Sequence, residues 1–540
     1  MIKTLSKAMK TFKTFIPLTV GLLLMGCANN DITDDNTLQQ TGNQQDATTF
    51  VGKNYTGKDD KQATRTYLSF IRSTPTTAKF IWNPSDKVYL SDGSSATAEV
   101  ASTADMSVAD FTFKGKSLTA PSYDIYYPGA NATAYNKVHI PDTNNGRQLY
   151  PYSYGLQFSI SDGGDCGFAK ATQQPDGKYY FELEHQAAYI ILYPRSNAAN
   201  TDRVSIKSIK VTADTNISGD YTLTPSGLTG SGSSKTVSSQ ARMPLTSTIV
   251  GTGEVIDGTK TQDRNAMLFT IAPCTTALTI EYTLRNYDGS IAGTVTKQLP
   301  VRTYAKNTIT PITANLQVPE VGYYYTWDAA EGQHYWKGYE KEQYSGGGNT
   351  PGSGNHYPEN SSDARWYNTA SNTATRSAKD CPNLYEISWY VAHGDPHWDA
   401  EMVWTNGGDL YKGGMWFKKK AYITGFSNTT YPAGFNPPST MGSPTVNTFI
   451  AQGRPTDTSE YFFLPAASYY MRGQISRNYG EELGELGTYW SNTFASAYPG
   501  DTGSDPYNGS TAYCLNFSSN RVYIGIYPKC KCGVPLWTAQ

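Results

Sequence analysis

Short alternating runs of apolar and polar residues cover most of the chain from Thr66 onward. Turn-forming residues bound each run, and none keeps a helical period for long. Alternation of this kind predicts β-strands with one buried face. The clearest runs are residues 79–82, 87–90, 111–113, 123–127, 179–183, 188–193, 204–211, 266–271, 278–284 and 309–316. We therefore predict a mainly β protein.

Three segments lack this strand pattern. Residues 28–62 are rich in Asn, Asp, Gln, Thr and Gly, and their composition predicts a disordered tether. Residues from about 382 to 392 carry apolar side chains that include Ile387 and Tyr390, and predict a helix that ends at His393. A Gly- and Ser-rich stretch at 345–357 has the composition of a flexible linker.

The first residues have the features of an export signal. A lysine-rich segment at 3–13 precedes an apolar stretch that is too short to span a membrane. Leu24 and Gly26 then precede Cys27 in an arrangement that resembles the lipobox of bacterial lipoproteins. The resemblance implies cleavage before Cys27 and acylation of its thiol, with palmitate among the expected modifications. The alternative is an ordinary secretory signal with an incidental cysteine.

The composition of the chain disfavours nucleic-acid binding and coiled-coil structure. The chain has 44 Lys and Arg against 46 Asp and Glu, so no basic excess is present to hold a nucleic-acid backbone. It also has 41 Tyr and 49 Gly with only 17% charged residues, which favours strands and turns over coiled coils. Trp82 lies before residue 320 and the other tryptophans lie after it, so we expect a separate C-terminal domain.

The order of several motifs between about residues 63 and 318 resembles that of the fimbrillins, the subunits of Bacteroidetes-type (type V) pili. These motifs are WNPSDKVY at 82–89, ADF at 109–111, YYP at 126–128, FELEHQAA at 181–188, ISG at 217–219, AP at 272–273 and YAKN at 304–307. The resemblance implies two β-sandwich subdomains and export as a lipoprotein.

The same resemblance implies a maturation step. Many fimbrillins are cut by an Arg-specific protease, and the cut opens a groove for a donor strand from the next subunit. Strand addition of this kind satisfies main-chain hydrogen bonds along an exposed sheet edge. Arg65 lies where the tether meets the first strand and is the candidate cleavage site, with Arg72 as a second choice. The alternative is an uncleaved surface arginine, as expected for a membrane anchor subunit.

Residues from about 364 to 540 resemble the C-type-lectin-like fold of Bacteroidetes surface proteins, close to the major paralogous domain of Fibrobacter. The motifs are CPN at 381–383, GGMW at 413–416, YFFLPAA at 461–467, GTYWSNT at 487–493 and AYCLNF at 512–517. The resemblance implies an α+β domain that presents a ligand-binding surface. The tripeptides with which calcium-dependent members bind sugars are missing from the sequence, so calcium-mediated glycan binding is not supported.

Cysteines of an exported domain are expected to form disulfides. The lectin-like resemblance implies the nested pairs Cys381–Cys532 and Cys514–Cys530. The exchanged pairing stays open, because Cys530 and Cys532 would share one face of a strand. A Cys-x-Cys metal or redox site, as in the formylglycine-generating relatives of this fold, is a further alternative.

Other side chains give little evidence of chemistry. Cys166 and Cys274 either pair with each other or stay buried as thiols. A glycine and a proline separate His393 from His397, so the two are not one helical turn apart as in a His-Glu-x-x-His site, and we expect a loop there. We therefore expect no enzyme activity, no metal and no cofactor.

Aromatic and basic side chains of the C-terminal domain are the ligand-binding candidates. Tyr and Trp rings offer an apolar face and a polar tip, on which sugars or peptides can stack. The three consecutive lysines at 418–420 form either a solvated edge strand or a ligand contact. The candidates are Trp398, Trp404, Tyr469, Tyr470, Lys418, Lys419 and Lys420.

These features predict a surface-exposed lipoprotein of the outer membrane that becomes the tip subunit and adhesin of a fimbrium. Its expected partners are other fimbrillin subunits by strand addition, the membrane through the Cys27 lipid before processing, and an unknown host or bacterial surface glycan or protein, with no nucleic acid. The tip position is favoured because the sequence ends inside a folded domain. Alternatives are a free-standing surface lipoprotein that binds glycan or protein and a formylglycine-generating-like enzyme.

The expected organisation follows from these predictions. It comprises a signal peptide at 1–26, a tether at 27–62, two fimbrillin-type β-sandwiches at 63–170 and 171–320, a linker at 321–363, and the α+β C-type-lectin-like domain at 364–540.

Overall fold

Strands dominate the protein, so the predicted fold class is confirmed. The computed structural model describes residues 47–52, 67–70, 78–100, 108–130, 132–148, 157–195, 204–244, 266–286, 289, 291–316, 318–344, 356–436, 445–475, 483–495 and 510–540. Cys27, Arg65 and Arg72 lie outside these residues. Within the described part of the chain, no helix has the length and apolar character needed to cross a membrane.

The first part of the chain forms a closed sheet. The strands of this part are β1 (Ala47–Gly52), β2 (Tyr67–Phe70), β3 (Ala78–Ile81), β4 (Lys87–Tyr89), β5 (Ser95–Glu99), β6 (Ala109–Lys114), β7 (Ser122–Tyr127), β8 (Lys137–Ile140), β9 (Arg147–Gln148), β10 (Gln157–Ser159), β11 (Gly167–Gln173), β12 (Tyr179–Phe181) and β13 (Glu184–His185). Of these, β2, β3 and β10 form a separate sheet, and β8 and β9 join sheets of the second part. Pairing runs β1-β6-β5-β4-β7-β11-β12 and returns to β1, so the strands enclose an aromatic core. We call this unit the N-terminal closed sheet.

Two predicted boundaries are wrong in this region. Residues 47–52 were expected in the tether, yet they form β1, and Phe50 is fully buried in the closed sheet. The expected boundary between residues 170 and 171 cuts through β11. Because β11 pairs with β7, β12 and β13, the closed sheet continues to His185.

The second part is a β-sandwich. Its strands are β14 (Ala188–Arg195), β15 (Val204–Ala213), β16 (Gly219–Thr224), β17 (Gly227–Thr229), β18 (Thr236–Pro244), β19 (Met267–Ile271), β20 (Cys274–Asn286), β21 (Ala292–Tyr304) and β22 (Ile309–Asn315). The sheets β22-β14-β19-β9 and β18-β15-β20-β21 face each other over an apolar core. A third sheet, β17-β16-β8, covers the other face of β14. Residues 188–193 were expected to alternate, but all six are buried and form a continuous apolar run, because sheets cover both faces of β14.

Two α-helices and many short strands lie in the described residues of the C-terminal part. They are β23 (Tyr324–Tyr325), α1 (Glu340–Tyr344), α2 (Leu384–His393), β24 (His397–Trp398), β25 (Val403–Asn406), β26 (Asp409–Lys412), β27 (Gly414–Lys418), β28 (Val446–Asn447), β29 (Ala451–Gln452), β30 (Tyr461–Pro465), β31 (Tyr470–Met471), β32 (Gln474–Ile475), β33 (Leu486–Ala495), β34 (Thr511–Ser518), β35 (Arg521–Pro528) and β36 (Cys532–Pro535). The helix predicted over 382–392 is confirmed as α2. Asn383 and Glu386 form its capping box, in which each side chain accepts from the backbone N–H of the other residue.

The predicted linker at 321–363 is wrong over its first half. Tyr324 and Trp336 are almost fully buried in the core of the C-terminal domain, and β23 pairs with β36. Burial of these rings makes residues 321–344 part of that domain. Residues 345–355 lie outside the described part of the chain.

A hairpin of the C-terminal domain is fastened to the sandwich. Val403 on β25 and Leu410 on β26 are buried in the sandwich core. The Asn286 side chain accepts from the Leu410 N–H at 2.6 Å and donates to the Leu410 carbonyl at 3.1 Å. On β21, a Cβ added to Gly293 would lie 2.0 Å from the Val403 side chain, so the close approach requires glycine. The two parts therefore share an ordered interface.

Candidate strand-exchange site and recognition domain

Strand β1 fills a slot between two strands that come much later in the sequence. It pairs antiparallel with β6 along its whole length and parallel with β12 from Phe50 to Gly52. We call the space between β6 and β12 the β1 slot. The sequence that joins β1 to β2 contains Arg65. If that connection were cut, only backbone pairing and side-chain packing would hold β1 in the slot.

The centre of the β1 slot is an aromatic pocket. The Phe50 ring stacks on Tyr179 with centroids 4.7 Å apart and an interplanar angle of 16°. Phe113 at 5.1 Å and Tyr123 at 6.1 Å meet the same ring edge-on. Stacked and edge-to-face pairs are favourable arrangements for aromatic rings. Phe50 is thus the main apolar anchor of β1.

The positions two residues before and after Phe50 are also specific. The Thr48 hydroxyl donates to the Lys116 carbonyl at 2.8 Å and accepts from the Leu118 N–H at 3.1 Å. A Cβ added to Gly52 would lie 2.9 Å from the Trp82 ring, closer than carbon atoms normally approach. Residues 48, 50 and 52 point to the same face because strand side chains alternate.

The histidine of the FELEHQAA motif belongs to a buried polar cluster. His185 Nδ1 and the Tyr189 hydroxyl both contact the Asp165 carboxylate, and the Tyr189 hydroxyl lies 3.0 Å from His185 Nδ1. All three side chains are almost fully buried. Burial, followed by the charge of Asp165, raises the pKa of Tyr189 well above its usual range. The cluster joins β13 of the closed sheet to β14 of the sandwich.

The predicted aromatic ligand contacts are core residues. Trp398, Trp404, Tyr469 and Tyr470 are all less than 9% exposed. The Trp404 indole donates to the Gly413 carbonyl at 2.8 Å, and Tyr470 donates to a backbone carbonyl at 2.6 Å. Because all four rings are buried, the structure contradicts their assignment as an exposed binding surface.

The lysines at 418–420 do not follow an edge strand. Strand β27, which ends at Lys418, lies between β24 and β30. Lys418 Nζ lies 3.9 Å from the Asp395 carboxylate, and Lys419 Nζ donates to the Ser459 carbonyl at 2.7 Å. Lys420 is exposed. Lys418 and Lys419 thus have local partners, and the solvated-edge interpretation is wrong.

The loop predicted after His393 is present between α2 and β24, and a buried carboxylate organises the segment that follows β24. Asp399 accepts from the Trp416 indole at 3.2 Å and from the Arg454 guanidinium at 3.1 Å. It also accepts from the backbone N–H groups of Glu401 and Met402. Among the described residues, no group of three His, Cys, Asp or Glu side chains is arranged to hold a metal ion.

The predicted disulfides are not formed in the structure. Cys381, Cys514 and Cys532 are thiols that lie in one apolar cluster, with Cys532 Sγ 3.9 Å from Met471 Sδ. Burial raises the pKa of Cys381 to about 12. Cys530, the expected partner of Cys514, precedes β36 and is buried. The sulphur atoms of the cluster act as apolar core groups.

Cys166 and Cys274, the other two cysteines left open as a pair, are also thiols. Cys166 belongs to the core between β14 and the β17-β16-β8 sheet, whereas Cys274 packs on the core of the sandwich. Their location in different clusters explains why they do not pair.

A carboxylate that the sequence did not single out anchors the start of the C-terminal domain. Asp328 is fully buried and has a φ of 52°. One carboxylate oxygen accepts from the Arg376 and Ala378 N–H groups at 2.7 and 3.2 Å. The other accepts from the Thr375 N–H at 2.8 Å and the Asn368 amide at 2.6 Å. Asp328 thereby fixes the segment that leads to α2.

A lysine is enclosed by aromatic rings close to this carboxylate. Lys529 Nζ lies 4.4 Å from the Trp327 ring centroid, 4.7 Å from Phe494 and 5.2 Å from Tyr367. Burial lowers the pKa of Lys529 to about 8, although Asp328 acts in the opposite direction. The sequence did not predict this arrangement, because the three rings are distant from one another in the chain.

Comparisons with known proteins identify partial structural neighbours. No protein-family model and no curated protein matches the sequence. A candidate cell adhesion protein from Bacteroides ovatus aligns at 15% identity over 44% of this chain and 86% of its own, with a TM-score of 0.28. One from Bacteroides uniformis aligns at 12% identity over 50% and 93%, with a TM-score of 0.28. The fimbrial anchor protein Mfa2 from Porphyromonas gingivalis aligns at 11% identity over 46% and 80%, with a TM-score of 0.16.

Proposed function

We propose that this protein is a fimbrial subunit of the cell surface whose closed sheet exchanges β1 for a strand of a neighbouring subunit. The arrangement of β1 carries the proposal. This strand precedes Arg65 in the sequence, yet it completes a sheet formed by residues that follow Arg65. A cut at Arg65 would leave β1 without a covalent connection to that sheet. Its departure would expose the edges of β6 and β12 to an incoming strand.

The same cut would change the attachment of the protein to the cell. Cys27 precedes Arg65, so cleavage would separate the lipid-bearing segment from the folded domains. Before the cut, the acylated cysteine would hold the precursor at the outer membrane surface. After the cut, strand exchange would hold the subunit in the fimbrium.

The C-terminal domain would present the adhesive surface at the fimbrial tip. Its strand β36 pairs with β23 on one edge and β31 on the other, so it is not free to be added to a partner. The subunit could accept a strand through the β1 slot while keeping β36 in its own domain. We propose a C-type-lectin-like architecture for this domain and binding of a surface glycan or protein rather than catalysis.

A free-standing surface lipoprotein is the second candidate. The observation in its favour is that β1 already closes the N-terminal sheet, so the fold is complete without a partner. In that case Arg65 would stay uncut and β1 would remain in place permanently.

Replacement of Arg65 separates the two candidates. We expect Arg65→Ala to retain the lipid-bearing segment and to abolish fibre formation, whereas Arg72→Ala is processed normally. Mass spectrometry of surface-extracted protein would measure processing, and electron microscopy would measure fibres. Normal fibres from the Arg65→Ala variant would refute exchange triggered at this position.

The tip assignment has its own test. Immunogold labelling of the C-terminal domain should decorate one end of each fibre. Labelling along the whole fibre length would contradict the tip position and would leave strand exchange untouched.

A further inference from the structure

We infer that the β1 slot selects its incoming strand by the pattern Ser/Thr–x–aromatic–x–Gly. This inference rests on the proposed strand exchange and goes beyond it by specifying the partner's sequence. Its basis is that the walls around residues 48, 50 and 52 belong to the part of the chain that follows Arg65. These walls would remain after β1 leaves, so a new strand would meet the same three subsites.

The central subsite requires an aromatic ring. Tyr179, Phe113 and Tyr123 surround the Phe50 ring, and Phe50 is fully buried. An alanine at this position would leave the pocket unfilled and would remove the ring contacts. Large-to-small replacement of a buried Phe is among the most destabilising core changes.

The subsite at residue 52 excludes every side chain. An added Cβ would lie 2.9 Å from the Trp82 ring and 3.0 Å from the Phe181 ring. Trp82 is itself packed against Phe111 and Phe181, with centroids 4.9 and 6.2 Å away. A crowded aromatic wall does not yield to an extra methyl group without strain.

The subsite at residue 48 requires a hydroxyl group. Thr48 satisfies the Lys116 carbonyl and the Leu118 N–H with a single oxygen. An apolar residue of the same size would leave both backbone groups without this partner. These hydrogen bonds are partly buried, and polar groups that lose a partner there carry a desolvation cost, so Ser or Thr is favoured.

Strand direction gives the pattern its polarity. β1 runs antiparallel to β6 and parallel to β12, so an incoming strand that keeps both pairings must run in the same direction. A strand in the reverse direction would bring its hydroxyl residue to the crowded subsite beside Trp82. Thr49 points away from the three subsites, is only half-buried, and provides a matched control position.

A peptide-exchange assay tests the pattern directly. The full-length protein is processed with an Arg-specific protease and incubated with a fluorescent peptide of sequence DATTFVGK, which corresponds to residues 46–53. Binding is measured by anisotropy for this parent peptide and for peptides carrying Phe50→Ala, Gly52→Ala, Thr48→Val or Thr49→Ala. Uncut protein carrying Arg65→Ala is the control for slot occupancy.

We expect the affinity to fall at least about a hundredfold for Phe50→Ala. The expected loss is about tenfold for Gly52→Ala and for Thr48→Val. Thr49→Ala should stay within about threefold of the parent peptide. Equal binding of the parent and the Phe50→Ala peptide would overturn the pattern while leaving strand exchange intact.

Failure of exchange itself has a different signature. If the parent peptide enters neither the processed protein nor its Phe50→Ala form, the proposed function fails and the pattern fails with it. A resident β1 that stays bound after the cut would also keep the parent peptide out, and a second measurement detects this case. In processed protein made with Phe50→Ala in its own β1, the parent peptide should exchange faster than into the Thr49→Ala variant. Equal exchange rates would also overturn the pattern.

Discussion

Replacement of Asn286 by Ala should loosen the interface between the sandwich and the C-terminal domain. Both hydrogen-bonding groups of the Asn286 amide are used by Leu410, whose backbone is buried against the sandwich. The variant would leave the Leu410 N–H and carbonyl without this partner. At about 1–3 kcal/mol for each unsatisfied buried group, the expected loss of docking free energy is about 3 kcal/mol. This loss corresponds to roughly a hundredfold change in the docking equilibrium.

Hydrogen exchange measured by mass spectrometry is the most direct assay. The peptide that contains Leu410 should exchange faster in Asn286→Ala, by about the same hundredfold factor if exchange follows local opening. Asn286→Asp should behave no better, because its second carboxylate oxygen would face the Leu410 carbonyl oxygen. Thr294→Ala is a suitable control, since Thr294 is exposed on the neighbouring strand β21. Unchanged exchange at Leu410 in Asn286→Ala would refute the role of this amide.

Two further substitutions test buried charges of the C-terminal domain. Asp328→Asn should destabilise the protein by about 3 kcal/mol in urea unfolding, because donors face both carboxylate oxygens and no amide orientation can accept from all of them; a loss below about 1 kcal/mol would contradict this. Lys529 has its pKa lowered to about 8, against about 10.4 in an unfolded chain, so the unfolded state binds the extra proton between these values. The contribution of Lys529 to stability should therefore rise by up to about 3 kcal/mol as pH increases from 8 to 10.4. Subtracting the pH dependence of Lys529→Met from that of the parent protein removes the contribution of the tyrosines and should leave this rise; an identical pH dependence of the two proteins would contradict the prediction.

Local sequence signals predicted the elements that depend on local interactions. The ten short runs identified ten of the strands that precede residue 320, and the apolar positions after Asn383 identified α2. The run at 188–193 correctly predicted the strand β14 but not the burial of both of its faces, which depends on sheets distant in sequence. Each of these elements has a pattern set by its own side chains and their immediate neighbours.

Strand β1 could not be predicted in the same way. It has one large aromatic residue in a polar segment, and its pairing partners lie in β6 and β12. The Thr48 hydroxyl bonds to a carbonyl 68 residues away. The alternation of Thr48, Phe50 and Gly52 was present in the sequence, but six residues bounded by polar neighbours do not distinguish a strand from a tether.

The C-terminal domain shows a second limit. A Trp or Tyr residue can be either exposed or buried, so residue type could not decide between these for Trp404 and Tyr470. The structure places both in the core. The same is true of Tyr324 and Trp336, which were assigned to a linker. The abrupt increase in tryptophan after residue 320 was the better guide, because large rings need a core to bury them.

The attachment of the β25–β26 hairpin to the sandwich determines how the molecule would carry mechanical load. The main chain leaves the sandwich after β22, and the backbone around Glu320 bonds to Thr405 in the same hairpin. A pull on the C-terminal domain is therefore shared between the covalent chain and the Asn286–Leu410 contact. Two points of attachment resist tilting, so in the proposed fibre the C-terminal domain would keep a fixed direction under tension.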